Sequence, residues 1–147
     1  MEDSIYTDLI MEHGLDSPYK RELENESICA SGHNPSCGDK ITLHILIEDN
    51  IIKDMTFTGS GCAISQGSTS IMIQTLLGKD VQTAKNIISS FLNLIKREKL
   101  STEELESLHD AVAFENISNM PARVKCATLS WHTLQDILNE LNKSTKA

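Results

Sequence analysis

The chain is expected to adopt an α+β fold: a small antiparallel sheet of about three strands, packed by several helices. Three observations carry this expectation. Ile41, Leu43, Ile45 and Ile47 alternate with Thr42, His44 and Leu46, and a second β-branched run returns over Ile51 to Thr58 after "EDN". Beyond residue 62 the apolar residues recur at helical rather than strand spacing. The order is helix, strands, then a run of helices, with no strand–helix–strand alternation that would call for a parallel sheet.

Taken in order, Ser4 to His13 reads as a helix with Ile5, Leu9 and Ile10 on one side and Gly14 as its stop. Residues 15 to 36 read mostly as loop, with "SICAS" inside them as a short edge strand. Residues 41 to 58 form an antiparallel hairpin. "GSGC" then turns the chain sharply, and Cys62 opens a helix that runs through Leu77 and stops at Gly78. Asp80 caps the next helix, which extends to about Glu98 and buries Val81, Ala84, Ile88, Leu92 and Ile95. Ser101 with Glu104 three residues later is a capping box. Residues 111 to 125 are less regular and contain Pro121. The last helix is expected from Cys126 to Leu141, with Leu134, Ile137, Leu138 and Leu141 on its apolar side. At 147 residues the chain is expected to be one domain, 1–147, with 142–147 as a frayed tail.

Composition narrows the function. The net charge of −8, without a basic block, argues against nucleic acid as a partner. The longest apolar runs, such as "IMIQTLL", are far too short to span a bilayer, so no membrane partner is expected. The start "MEDSIYTDLIMEHG" is acidic and lacks the basic and apolar regions of a signal peptide, which predicts a cytoplasmic protein with reduced thiols. Four cysteines in that compartment are metal ligands, reactive thiols or core residues rather than disulfides.

Three of the four stand at junctions: Cys37 before the hairpin, Cys62 at the strand-to-helix turn, Cys126 at the start of the last helix. Their separations, 25 and 64 residues, are unlike the paired CxxC of a zinc knuckle, so spacing leaves both metal ligation and buried, inert cysteines open. Local chemistry favours the first. Cys62 and Cys126 are both expected at helix N-termini, where N–H groups and the helix dipole favour a thiolate. Arg123, Lys125 and Lys40 add positive charge in an acidic chain. Asp39 sits one glycine from Cys37 and offers a carboxylate oxygen. Three thiolates and one carboxylate suit four-coordinate zinc, and the same donors suit iron.

The stretches "NPSCGDKITL", "FTGSGCAISQGSTSIM" and "MPARVKCATLSWHTL" together resemble the SufU-type members of the IscU-like iron–sulfur scaffold family. The resemblance runs from about residue 4 to 141. Two features place it on the SufU branch: an extra helical segment near 96 to 117, and Lys125 where IscU-type proteins carry histidine before the last cysteine. The chaperone-binding motif of the IscU type is replaced by "MPARVKC". The resemblance implies one zinc held by Cys37, Asp39, Cys62 and Cys126. It implies transfer of sulfane sulfur from the persulfide of a SufS-type, PLP-dependent cysteine desulfurase, for use in iron–sulfur cluster biogenesis. A desulfurase histidine would displace Cys37 from zinc, and the freed Cys37 would accept the sulfur, with Arg123 steadying anionic sulfur. Iron, or a transient Fe–S cluster assembled on the same ligands with Cys126 as the persulfide acceptor, is the alternative. A purely structural zinc domain is the third reading.

The remaining residues carry plainer readings. Cys29 lies outside the matched motifs and reads as a strand or loop residue. His33 is near Cys37 in sequence but is expected to be solvated, and His44, His109 and His132 have no partner cysteine nearby. Trp131 reads as core, and Gly59 and Gly61 as backbone requirements beside Cys62 rather than a phosphate loop.

Overall fold

The computed structural model describes residue 10 and residues 17–24, 27–34 and 38–146, the side chains of 116, 118, 119 and 142–146 excepted. Three strands, β1 (Ile28–Asn34), β2 (Asp39–Glu48) and β3 (Ile51–Ser60), form one antiparallel sheet in the order β1-β2-β3. Four α-helices follow: α1 (Ala63–Leu76), α2 (Val81–Ile95), α3 (Thr102–Leu108) and α4 (Pro121–Lys146). A 3-10 segment, His109–Asn119, joins the last two. The α+β expectation holds. The expected first helix lies outside the described residues apart from Ile10, whose backbone approaches Gly67 of α1 so closely that no Cβ would fit there.

The hairpin forms for the reason its pattern gives. Asp49 and Asn50 both take positive φ, 53° and 63°, which is the two-residue turn whose twist matches a β-ribbon. Leu43 pairs with Phe57 and Ile45 with Met55, and all four side chains are fully buried on the helix-facing side. β1 is longer than the sequence pattern predicts. Its burial alternates, with Ile28, Ala30 and Gly32 inward and Cys29, Ser31 and His33 exposed.

The helices close over that face. Cys62, Asp80 and Ser101 cap α1, α2 and α3 as expected, and the Ser101–Glu104 capping box is formed. The α2 helix stops at Ile95, three residues short of Glu98, because Arg97 takes a φ of 64°. Trp131 is core: its ring stacks on Phe91 at 3.8 Å and 6°, and Phe91 meets Phe114 edge-on at 5.8 Å. The indole Nε1–H donates to Ser68 Oγ at 2.9 Å, and Ser68 Oγ–H donates to the Ala127 carbonyl at 2.5 Å. This buried chain bolts α1 to α4 one residue beyond Cys126.

The last helix departs from expectation at its start. It begins at Pro121 rather than Cys126, because proline suits the first position of a helix, where its missing N–H has no intrahelical partner to lose. The Met120 carbonyl accepts from Arg123 N–H and Val124 N–H, closing the first turn. Cys126 therefore sits in the second turn of α4, where the N-terminal dipole has largely faded. The same helix continues past Leu141 to Lys146, beyond the expected frayed end. No helix among the described residues is long and apolar enough to cross a membrane.

Candidate metal centre

Strand periodicity delivers Asp39. Along β2 the inward positions are Asp39, Ile41, Leu43 and Ile45, so the carboxylate occupies the first place of an otherwise apolar face and is fully buried. A buried carboxylate needs partners. Oδ1 accepts from the Cys62 backbone N–H at 2.9 Å, while Oδ2 has no hydrogen-bond partner among the described residues.

Cys62 arrives from the end of β3. It is exposed, and as the N-cap of α1 its sulfur accepts the Ser65 N–H at 3.4 Å. The two glycines before it are required by geometry, as expected. Gly59 has a φ of 116° and lies so near the Lys40 carbonyl that a Cβ would collide with it. A Cβ on Gly61 would sit 2.8 Å from Asp39 Oδ1 and 3.3 Å from Ser65 Oγ. Cys126 comes from α4 and is 4 % exposed.

These three elements meet at one point: a carboxylate oxygen of Asp39 and the sulfurs of Cys62 and Cys126 all lie within 4.8 Å of one another. Two thiols and a carboxylate that close, with one buried carboxylate oxygen still lacking a donor, fit a thiophilic metal such as zinc. The fourth expected ligand, Cys37, lies outside the described residues. Gly38, beside it, takes a φ of 72°, the left-handed conformation that glycine allows at little cost. Arg123 lies one turn before Cys126 on the same side of α4 and is exposed, as are Lys125 and Lys40.

Other sequence candidates stand apart from this corner. His33 and Cys29 are on the solvent face of β1. The His44 ring pairs with Thr58 Oγ1 at 2.8 Å across the hairpin's outer face. The residue that sequence reasoning missed is Asn34. It reads as a turn residue, yet it continues the inward set Ile28, Ala30, Gly32 and is 7 % exposed. Its Nδ2–H donates to Cys126 Sγ at 3.9 Å, and it pairs with Asp39 at the end of the ladder. Extending "SICAS" by its own period of two would have found it.

Small α+β folds that gather thiols and a carboxylate from a hairpin and two helices form a recognisable class. The NifU-like N-terminal domain family matches residues 5–127, and the chain belongs to that family. It is 37 % identical over 133 residues to a protein of Bacillus subtilis named zinc-dependent sulfurtransferase SufU, covering 90 % of this chain and 88 % of that one. It is 32 % identical over 139 residues to an iron–sulfur cluster assembly scaffold protein IscU of Thermotoga maritima, covering 95 % and 96 %. Among solved structures, a SufU of Fervidobacterium islandicum AW-1, described as an iron–sulfur cluster assembly scaffold protein for the SUF system, superposes with a TM-score of 0.83. That match is at 35 % identity over 92 % of this chain and 97 % of that one.

Proposed function

We propose that this protein is a zinc-dependent sulfur acceptor of iron–sulfur cluster biogenesis, working with a PLP-dependent cysteine desulfurase of the SufS type in the cytoplasm. The observation that carries it is the convergence of Asp39, Cys62 and Cys126 within 4.8 Å, in a chain 37 % identical to a zinc-dependent sulfurtransferase. Cys37, Asp39, Cys62 and Cys126 would hold the metal. Zinc, when bound, keeps its cysteine ligands deprotonated at neutral pH while damping their reactivity.

The chain's own residues do the rest. Cys37 is the ligand that leaves and reacts. Its thiolate attacks the outer, sulfane sulfur of the desulfurase persulfide, forming a new S–S bond. The donor's S–S bond breaks, the desulfurase cysteine departs with the electron pair as thiolate, and Cys37 carries the persulfide. Arg123 and Lys125, exposed on the first turns of α4, supply positive charge for the anionic sulfur in a chain of net charge −8. The alternative, a transient Fe–S cluster built on these ligands, draws support from the Thermotoga relative's name. Lys125 in place of the IscU-type histidine weighs against it.

The test is desulfurase turnover with and without the protein. Wild type is expected to accelerate a SufS-type enzyme and to hold one tightly bound, colourless zinc. Cys37→Ala is expected to lose the acceleration altogether, and unchanged acceleration in that variant overturns the role of Cys37. A cluster-type visible spectrum after anaerobic purification would move the assignment to the scaffold reading.

A further inference from the structure

Each of the three described site residues accepts an N–H. Asp39 takes the Cys62 amide, Cys62 takes the Ser65 amide, and Cys126 takes the Asn34 side chain. The first two donors are backbone and come with the turn and the helix cap. The third is a side chain at a position where the strand period calls for an apolar residue. A primary amide in that place carries a desolvation penalty unless it is bonded. Asn34 is 7 % exposed and Cys126 4 %, so the contact is shielded from water.

From this we infer that Asn34 is a positioning residue that keeps Cys126 in the site as the ligand that does not exchange; the inference rests on the metal reading above. A donor to a ligand sulfur withdraws electron density from it and fixes its rotamer, as outer partners of metal ligands generally do. Asn34 also faces Asp39 across the last rung of β1 and β2, so one rigid strand pair holds both the carboxylate and the Cys126 donor. Cys126 is thereby anchored from β1 as well as from α4, where Ser68 grips the next residue's carbonyl. Sulfur acceptance is then directed away from Cys126.

The test compares wild type with Asn34→Leu, which keeps the branched heavy-atom shape and loses the donor, and Asn34→Gln, which keeps an amide. Three readouts are taken: the d–d and sulfur-to-metal charge-transfer bands of the cobalt-substituted protein, zinc loss to a chromophoric chelator, and alkylation of Cys126 followed by peptide mass. Asn34→Leu is expected to shift the charge-transfer band to lower energy, because the sulfur no longer shares its density with a donor. It is also expected to raise zinc loss and Cys126 alkylation about tenfold, with Asn34→Gln recovering part of each. A folded Asn34→Leu with an unmoved band and wild-type Cys126 alkylation overturns the inference. If wild type takes up neither cobalt nor zinc, the metal reading itself falls. The contact is then judged on the metal-free chains: faster Cys126 alkylation in Asn34→Leu supports it and equal rates refute it.

Discussion

Gly61→Ala is the sharpest probe of the corner, because its closest collision is with the carboxylate of one proposed ligand, Asp39. Gly61 does not occupy the left-handed backbone region, so alanine there adds no conformational strain. It adds only a methyl group, 2.8 Å from Asp39 Oδ1 and 3.3 Å from Asp39 Cγ. To reach the 3.4 Å of ordinary contact the carboxylate must retreat by roughly 0.6 Å. The Cys62 N–H···Oδ1 bond, now 2.9 Å, then stretches towards the outer limit of a hydrogen bond. Weakening a bond to a carboxylate costs about 1.5–3 kcal/mol. Loss of an outer partner of a metal ligand costs about 10–100-fold in affinity, or about 1.4–2.7 kcal/mol. Gly61→Ala is therefore expected to bind zinc about 10–100-fold more weakly than wild type in a chelator competition titration, and without metal to lose no more than the roughly 1.5–3 kcal/mol of the weakened bond. Gly59→Ala is the comparison in which the damage starts in the backbone rather than at the Asp39 carboxylate. Its φ of 116° and the Lys40 carbonyl in its way make it unfold the end of the hairpin, at a cost of about 1–3 kcal/mol from backbone strain alone. Wild-type zinc affinity in a folded Gly61→Ala would refute the reasoning, since Asp39 would then tolerate displacement that a ligand cannot.

The packing and the caps give further expectations. Trp131→Phe keeps a ring on Phe91 but loses the Nε1 donor to Ser68 and part of the buried volume; thermal unfolding should show a loss of about 1–3 kcal/mol. An unchanged melting temperature would mean that the Ser68 link does not tie α1 to α4. Asp80 accepts from Thr83 Oγ1 at 2.6 Å and Thr83 N at 3.0 Å, and these bonds hold its carboxyl below the ordinary value of 3.8. Its folded state binds the proton less readily than its unfolded state. The stabilisation is thus complete above about pH 3.8 and is lost as pH falls through the lower folded value. The stability gap between wild type and Asp80→Asn in urea titrations should therefore narrow on acidification, and a gap that widens would contradict the capping role.

Local signals in the chain predict local structure well. The hairpin, the three caps and the glycine requirement beside Cys62 all follow from residues within a few positions of one another, where turn chemistry and periodicity act directly. Two errors have the same origin. Pro121 reads as an irregularity, although at a helix start its ring and fixed φ are an advantage, so Cys126 lies more than a turn deeper in the helix than the pattern predicts. Cys62 does cap a helix, whereas Cys126 lies more than a turn inside one. Asn34 reads as turn chemistry by residue type, yet it ends a strand that runs from Ile28, beyond the short edge strand that the pattern predicts.

What periodicity within one segment does not reveal is which distant segments meet. That Cys62 and Cys126 face each other depends on Ser68 bonding the Ala127 carbonyl, and on Trp131 packing over Phe91, contacts made between helices rather than along them. These contacts bear directly on the proposed chemistry. A site in which one ligand departs to accept sulfur must keep its metal on the remaining ones, so those must hold their positions by protein contacts alone. Asp39 is tied to the Cys62 amide, Cys62 to the Ser65 amide and Cys126 to Asn34, on elements locked together by the core. Three ligands fixed in this way would let a fourth, carried next to the permissive Gly38, leave without dismantling the corner. If zinc is instead released whenever Cys37 is removed, the three anchors are insufficient. The proposed division between resident and reactive ligands would then fail with them.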